Sequence, residues 1–261
     1  MFRQIVVLFL LCFISNNSIS AYSFYKKGNC GITDSECLSA YYQNVIQKAA
    51  ESGIPEIGIP ILDPYAVKNL NVTVLGLIKV NIPEGTVKGL KTCHSNRFNL
   101  DLENKISSVE YVCETINIEG KYNLEPTDVL KVFIGGIDIH GKGVASLKIE
   151  NVQINLDIPI EVKESEDHEV HAVFDYKGIT YTYEVLGKVT LNADSLYVGS
   201  QDISTVAVNI FNENWKSLIK LLGRSIVDLA LDVFGENANK YSAAVPLKEI
   251  ISDDLSVYVT H

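Results

Sequence analysis

The chain has 261 residues, 47% of them hydrophobic and 21% charged, and its 32 acidic and 22 basic side chains give a formal net charge of −10. An acidic surface of this kind is a poor match for nucleic acid or for anionic lipid head groups, so we expect neither as a partner. The length suits one large β-rich domain or two small ones, and because no Ser/Gly-rich linker divides the sequence we expect one.

The first 21 residues have the layout of a secretory signal peptide. Arg3 precedes an apolar run at residues 5–14, small polar residues follow, and we expect cleavage after Ser20 or Ala21. The apolar run is too short for a membrane anchor, which needs about 20 residues. We therefore predict a secreted, extracellular protein comprising residues 22–261, with no stable membrane insertion. Its net charge would be −11, because the leader removes one arginine and no acid.

Four cysteines remain after the predicted leader, namely Cys30, Cys37, Cys93 and Cys113. An even number of cysteines in a secreted chain suggests two disulfides, and three pairings are possible. Pairing Cys30 with Cys37 and Cys93 with Cys113 is the simplest, since each pair is local. The spacings do not fit a zinc ribbon, so we favour disulfides over a metal site and predict no bound metal.

The first predicted element is a helix that begins at a capping box. In Thr33-Asp34-Ser35-Glu36, the Thr33 side chain can accept from the N–H of Glu36 while Glu36 reaches back to Thr33. The apolar spacing that follows predicts a helix to about Ser52, with Gly53 as its stop.

Residues 53–65, GIPEIGIPILDPY, are too apolar for an ordinary surface loop. Pro55, Pro60 and Pro64 exclude a helix or a central strand. Because each proline fixes φ and lacks a backbone N–H, such a segment can be buried with fewer unpaired donors.

From Pro64 onward the hydrophobic pattern has a period of two, which is typical of an antiparallel sheet with one apolar face. The clearest strand is 152–163, where Pro159 points outward and indicates an edge or a bulge. The sequon Asn71-Val72-Thr73 places a predicted N-glycan at Asn71, with Val72 pointing inward. The same alternating pattern extends over residues 72–82, 97–103, 106–118, 129–139, 170–176, 179–185, 187–198 and 203–210.

Two motifs resemble catalytic or cofactor sites, and each lacks a necessary part. Residues 136–143, GIDIHGKG, nearly spell a phosphate-binding loop, but Gly143 replaces the required Ser or Thr, so we predict a turn. His168 and His171 would face opposite sides of a strand, so we predict a solvated surface and not a metal pair. The sequence holds no G-x-S-x-G nucleophile elbow. We predict no enzymatic activity and no cofactor.

Residues 214–241 have a helical period and an unusually wide apolar surface. Their charges repeat every four residues and form one narrow stripe, which leaves most of the circumference apolar. A helix of this kind must be wrapped by other elements. We therefore predict an α+β fold in which a strongly curved antiparallel sheet wraps one long C-terminal helix, with a short helix near the N-terminus and a possible tunnel inside.

The order of these motifs resembles the insect takeout and haemolymph juvenile-hormone-binding protein family. The resemblance is carried by the cysteine pair before the first helix, GIPEIGIPILDPY, FNENWKSLIKLLGRSIVDLALDVF and PLKEII, and it spans essentially all of residues 22–261. It implies a TULIP/SMP-like fold, an elongated hydrophobic tunnel, and residues 53–65 as a stiff connector near one tunnel end. The pair Cys93 and Cys113 favours the broader takeout group, because the second disulfide of the hormone-binding branch joins later parts of the chain.

We predict a secreted carrier that binds an elongated apolar molecule, such as a terpenoid hormone or another lipid. The alternative is an extracellular signalling protein that acts through an unknown receptor and holds lipid only as a structural filler; a hydrolase ranks third. Ordinary core is the competing interpretation for each candidate residue, because core and pocket lining share a composition. The candidates are Trp215, Leu218, Leu222, Ile226, Leu229 and Phe234 on the helix, Val74, Ile78, Phe98, Leu100, Ile154, Leu156 and Ile158 on strands, and Tyr181 and Tyr183 as polar handles.

Overall fold

A computed structural model describes residues 28–166 and 168–260, and the predicted signal peptide lies outside them. The described chain contains one ten-stranded antiparallel sheet and a long C-terminal helix, which confirms the predicted fold class. The helices are α1 (Ser35–Ser52), α2 (Asp128–Phe133) and α3 (Ser204–Ala244). The strands are β1 (Tyr65–Val74), β2 (Ile78–Lys88), β3 (Cys93–Asp101), β4 (Ile106–Pro126), β5 (Ile139–Glu164), β6 (Val170–Phe174), β7 (Thr180–Val185), β8 (Val189–Ala193), β9 (Leu196–Val198) and β10 (Gln201–Asp202).

Two very long strands form the centre of the sheet. β4 has 21 residues and β5 has 26, and they pair along most of their length. A straight strand of that second length would span about 86 Å at 3.3 Å per residue, so both strands must bend within a domain of this size. β2 and β3 pair with β4, β1 pairs with β2, and β6, β7, β8 and β9 pair with successive parts of β5.

The sheet bends where its backbone register breaks. Gly85 on β2 lies opposite Gly120 on β4, next to a register shift, and a Cβ on Gly120 would lie 2.7 Å from the Glu84 carbonyl oxygen. Asn151 in β5 has a φ of 51° and separates the part that pairs with β8 from the part that pairs with β7. Bulges and close glycine contacts of this kind are the usual means of curving a sheet.

The alternating run at residues 72–82 is a hairpin. Leu75 and Gly76 both have positive φ, and the N–H of Leu77 donates to the carbonyl of Val74 at 2.9 Å. Positive φ at both central residues gives the turn whose twist matches antiparallel strands. The turn reverses the chain between β1 and β2 while the apolar residues stay on one face.

The strand predicted at residues 129–139 was wrong, because this segment begins with α2. The sheet register ends where Ile78 faces Pro126, so the chain leaves the sheet there. The Thr127 hydroxyl then accepts from the N–H of Leu130 and caps a short helix, which satisfies its own backbone. Gly135 and Gly136, both with positive φ, end the turn after α2. Of residues 136–143, predicted as a turn, only the first lies in it, because β5 already begins at Ile139.

The strand predicted at residues 203–210 was also wrong, because α3 already begins at Ser204. Alternating β-branched residues suggested a strand, but that preference is weak beside tertiary contacts. Asp202 accepts from both the N–H and the hydroxyl of Ser204 and stabilises the first turn. The helix therefore starts ten residues earlier than Asn214, the predicted start.

The cap of α1 differs from the prediction by one residue. The Asp34 side chain, and not that of Thr33, accepts from a first-turn amide, the N–H of Cys37, at 3.0 Å. The helix ends at Gly53, as predicted, with a φ of 68°. Asp and Thr are both good caps, so the sequence alone did not distinguish them.

Residues 53–65 connect α1 to β1 and pair almost all of their buried backbone donors. Ile54 and Ile59, which are 1% and 4% exposed, exchange two backbone hydrogen bonds of 2.9 and 3.0 Å. The N–H groups of Leu62 and Asp63 donate to the last turn of α1. The Asp63 carboxylate accepts from the N–H groups of Gly89 and Lys91 and so ties the connector to the end of β2.

Both disulfides have the predicted local pairing. Cys30 bonds to Cys37 at the start of α1, and Cys93 bonds to Cys113 across directly opposite positions of β3 and β4. The first disulfide therefore fixes the start of α1, and the second links the paired strands β3 and β4.

Asn212 holds α3 against the sheet. Its side-chain oxygen accepts from the N–H of Leu191 at 2.8 Å, and its amide nitrogen donates to the carbonyl of Leu191 at 2.9 Å. The Asn212 side chain thereby makes the two backbone hydrogen bonds that a neighbouring strand would make with Leu191 of β8. Two residues later Asn214 departs from helical geometry, with φ −112° and ψ 17°, and its amide donates to the Ile210 carbonyl at 2.9 Å. The predicted Asn-Glu-Asn-Trp motif is thus a helix-to-sheet anchor followed by a kink.

We expect Asn212→Ala to lower the free energy of unfolding by about 2–3 kcal/mol, because two hydrogen bonds are lost and both backbone groups of Leu191 are left unpaired. Urea denaturation followed by circular dichroism measures this change. Asn209→Ala is the matched control, since Asn209 is exposed on the same helix. Equal effects of the two substitutions would contradict the anchoring role.

Candidate ligand-binding interior between helix α3 and the sheet

Helix α3 turns one face to the sheet and the predicted polar stripe to the outside. Ile219, Gly223 and Val227 follow one another at four-residue intervals and are buried. The side chains of the charged stripe are all exposed, as predicted: Lys216, Lys220, Arg224, Asp228, Asp232 and Glu236.

Two tyrosines of β7 tether α3 to the sheet. The Tyr183 hydroxyl donates to the carbonyl of Ile219 at 2.9 Å, and the Tyr181 hydroxyl donates to the Asp228 carboxylate at 2.5 Å. A Cβ on Gly223 would lie 2.6 Å from the Tyr183 hydroxyl, so glycine permits this close approach. Burial, followed by the bond to Asp228, raises the pKa of Tyr181 to about 12. Both predicted polar handles therefore have hydroxyls that bind the helix.

Strand register aligns the predicted strand residues into rows across β4, β5 and β7. Ile154 lies between Tyr111 and Tyr183, and Leu156 lies between Val109 and Tyr181. These rows face α3, since their β7 members bond to it. Antiparallel register places such residues on one face, within reach of their cross-strand neighbours.

An aromatic cluster, formed by Tyr42, Phe98, Tyr111 and Phe234, closes this interior at the α1 end. The Tyr42 and Phe98 rings stack with centroids 4.5 Å apart, and the Tyr111 and Phe234 rings meet edge to face at 6.2 Å. These contacts join α1, β3, β4 and α3. Next to the cluster, the hydroxyls of Tyr41 and Tyr241 share a hydrogen bond of 2.7 Å between α1 and α3.

The aromatic cluster is dehydrated but not completely covered. Burial raises the pKa of Tyr42 and of Tyr111 above the ordinary value, so both phenols are neutral at physiological pH. Both side chains nevertheless keep part of their accessible surface. Tyr42 and Tyr111 are therefore surrounded by protein without being fully enclosed.

Ala230 is an exposed position on α3. At 100° per residue it lies on the same side of the helix as the buried residues Gly223 and Val227, and roughly opposite Asp228, which bonds to Tyr181 of the sheet. Phe234, one turn further along, is half-buried. Ala230 therefore lies beside the sheet-facing surface of α3 and remains accessible.

The predicted lining residues fall into three groups. Phe98, Leu156 and Ile158 are 6%, 4% and 6% exposed and belong to the main core, against which Leu100, Ile154 and Tyr181 pack. Val74 and Ile78 face each other at the opposite end of the sheet, beside the turn between β1 and β2. The six helix candidates are all half-buried: Trp215, Leu218, Leu222, Ile226, Leu229 and Phe234.

The sequence-based list omitted Tyr42, Tyr111 and Ala230. Tyr42 lies on the apolar face of the predicted first helix, and Tyr111 has an inward position in the predicted strand 106–118, so periodicity could have found both. Ala230 could not have been found in this way, because periodicity does not report its exposure.

The histidine pair is not solvated as predicted. His168 is exposed and lies 3.2 Å from Glu164, but His171 is only 4% exposed and its Nδ1 lies 2.8 Å from the Ser242 carbonyl oxygen. β6 packs under the end of α3, which covers the inward-facing His171. Among the described residues, no group of three or more His, Cys, Asp and Glu side chains is arranged to hold a metal.

No helix within residues 28–166 and 168–260 combines the length and apolar character needed to cross a membrane.

Comparisons with known proteins agree with this architecture. The crystal structure of Epiphyas postvittana Takeout 1 superimposes with a TM-score of 0.74 at 22% sequence identity, covering 86% of this chain and 99% of the other. A search of curated proteins gave no match. Residues 7–252 match the family described as haemolymph juvenile hormone binding protein. Because the match spans nearly the whole sequence, the chain belongs to the haemolymph juvenile hormone binding protein family.

Proposed function

We propose that this protein is a secreted carrier that encloses an elongated, uncharged apolar molecule between α3 and the sheet. The observation that carries the proposal is the apolar and aromatic surface between α3 and the sheet, where Tyr42, Tyr111 and the six helix candidates are only half-buried. Sites for apolar ligands combine apolar walls with a few polar groups. Family membership supports the same role, since the family is described by hormone binding in haemolymph.

The interior favours a neutral ligand. Its described aromatic lining consists of Phe and neutral Tyr side chains. The charged stripe of α3 is exposed, and its Asp228 accepts a hydrogen bond from Tyr181. Transferring a charged group into such a space without a partner would cost several kcal/mol or more. A terpenoid, an ester or another lipid with a small polar end satisfies this requirement.

The direct experiment is mass spectrometry of an organic extract of the protein, secreted from insect cells and purified without detergent. We expect a defined terpenoid or lipid in near-stoichiometric amount that is absent from a mock purification. An empty extract, together with no binding of a fluorescent apolar probe, would overturn the carrier proposal.

A bulky side chain placed beside α3 should weaken ligand binding. We expect Ala230→Phe to weaken the binding of a fluorescent apolar probe by about tenfold or more, roughly 1.4 kcal/mol, because the ring occupies the accessible space beside α3. Ala243→Phe is the matched control, since Ala243 is exposed on the outer side of the same helix. Probe titration measures the change, and urea denaturation verifies that both variants fold. Equal affinities would show that the ligand does not lie at Ala230.

The same proposal includes secretion and a glycan at Asn71. Asn71 is exposed on β1, and its side-chain oxygen accepts from the Asn81 amide at 2.9 Å. The atom that carries a glycan is the side-chain nitrogen, which lies 3.4 Å from the Asn69 carbonyl oxygen. A glycan on that nitrogen preserves the bond from Asn81.

We expect glycosidase treatment of the secreted protein to lower its mass, and we expect this shift to disappear in Thr73→Ala. That substitution removes the acceptor sequence and leaves the Asn71 side chain unchanged. Intact-protein mass spectrometry measures the shift, and a wild-type mass equal to that of the unmodified polypeptide would contradict the assignment.

A further inference from the structure

One end of the sheet exposes a cluster of large apolar side chains, which we call the apolar tip: Leu75, Leu77, Val129, Val132, Phe133 and Ile137. Val132 and Phe133 are 83% and 88% exposed. Scattered apolar residues are normal on protein surfaces, but clusters that include nearly bare aromatic side chains mark interaction sites.

The apolar tip is continuous. Leu75 and Leu77 belong to the turn between β1 and β2, and the others belong to α2 and the turn after it. Thr127 joins these segments, because its N–H donates to the Leu77 carbonyl at 2.8 Å and its hydroxyl donates to the Gly76 carbonyl at 3.0 Å.

The apolar tip projects beyond the sheet. The last paired residues at this end are Ile78 with Pro126 and Ile139 with Val198, and the tip segments lie past both pairs. A tight turn and a short helix carry its side chains, so the apolar tip is convex. Such a shape suits a fluid apolar phase better than it suits the flat or concave surface of a protein partner.

The charges that border the apolar tip are nearly balanced. Lys79 lies 3.8 Å from Glu125 and Lys131 lies 3.5 Å from Asp128, whereas Asp138 lies 3.0 Å from the imidazole of His140. The border thus offers little net charge to a charged partner, whereas the chain as a whole carries −10. A strongly acidic protein is repelled by anionic lipid, so a balanced tip is matched to an electrically neutral lipid surface.

We propose that the apolar tip is a reversible docking site for neutral, zwitterionic lipid bilayers, with Val132 and Phe133 entering the interfacial region. The inner apolar face of the sheet begins directly behind it, at the paired residues Val74 and Ile78. If docking serves ligand exchange, that part of the inference rests on the proposed carrier function. Docking itself requires only the apolar tip.

The test is flotation of the full protein with phosphatidylcholine vesicles. We expect the wild type to float with the vesicles and the double variant Val132→Asp/Phe133→Asp to bind about tenfold less or weaker still. Val257→Asp is the matched control, because Val257 is 79% exposed on a segment outside the apolar tip. Wild-type protein that stays unbound, or an equal loss in Val257→Asp, would overturn the proposal.

A second readout does not depend on aspartate substitutions. In Phe133→Trp, vesicles with brominated acyl chains should quench the fluorescence of the added tryptophan. In the control Val257→Trp they should not. Trp215, the single native tryptophan, contributes the same background to both variants. Absence of a difference would overturn the proposal. So would a wild-type dimer that ignores vesicles and becomes monomeric in the double variant, because the apolar tip would then be a contact between two copies.

Apolar-probe binding without vesicles separates this inference from the carrier function. The double variant should bind the probe like the wild type, since its changes lie outside the interior. Flotation without probe binding would retain docking and reject the carrier, and probe binding without flotation would do the reverse.

Discussion

The structure depends on the difference in width between one helix and one large sheet. Helix α3 is about 10–12 Å wide, whereas strands lie about 4.8 Å apart, so a single helix covers two or three of them. The sheet reduces the mismatch by curling, at Asn151 in β5 and at the contact between Gly85 and Gly120. Curling does not remove it entirely, and many inner side chains remain only half-buried.

Specific polar contacts decide where the helix lies. Asn212 pairs with both backbone groups of Leu191 on β8, while Tyr181 and Tyr183 hold the next turns of α3 on β7. The helix is therefore fixed to one side of the sheet. The most completely buried core forms where α1, the connector at residues 53–65 and the C-terminal segment meet the same face of the sheet and the end of α3.

The two ends of the sheet consequently differ in how completely their apolar side chains are covered. At the α1 end the aromatic cluster is dehydrated and closely surrounded, whereas at the β1–β2 end the inner face reaches an apolar surface. An acidic exterior keeps such a protein in solution, and a neutral interior can accept a molecule that water excludes. In the two proposals made above, one end encloses a ligand and the other contacts a lipid phase.

Periodicity in the sequence determined the main architecture, because alternation and helical spacing report directly which faces are buried. The long α3 and the alternating strands could be derived in this way. The buried proline connector was predicted from proline chemistry, and the local disulfides were the simplest of three possible pairings. Residues 129–139 and 203–210 could not, because their β-branched residues fit a strand locally, and the nearby Thr127 and Asp202 caps and the end of the sheet register favoured helices. Only the tertiary structure could show that His171 is covered and that Ala230 and Phe133 are exposed. Accessibility depends on what lies opposite a side chain, and distant parts of the chain supply those neighbours.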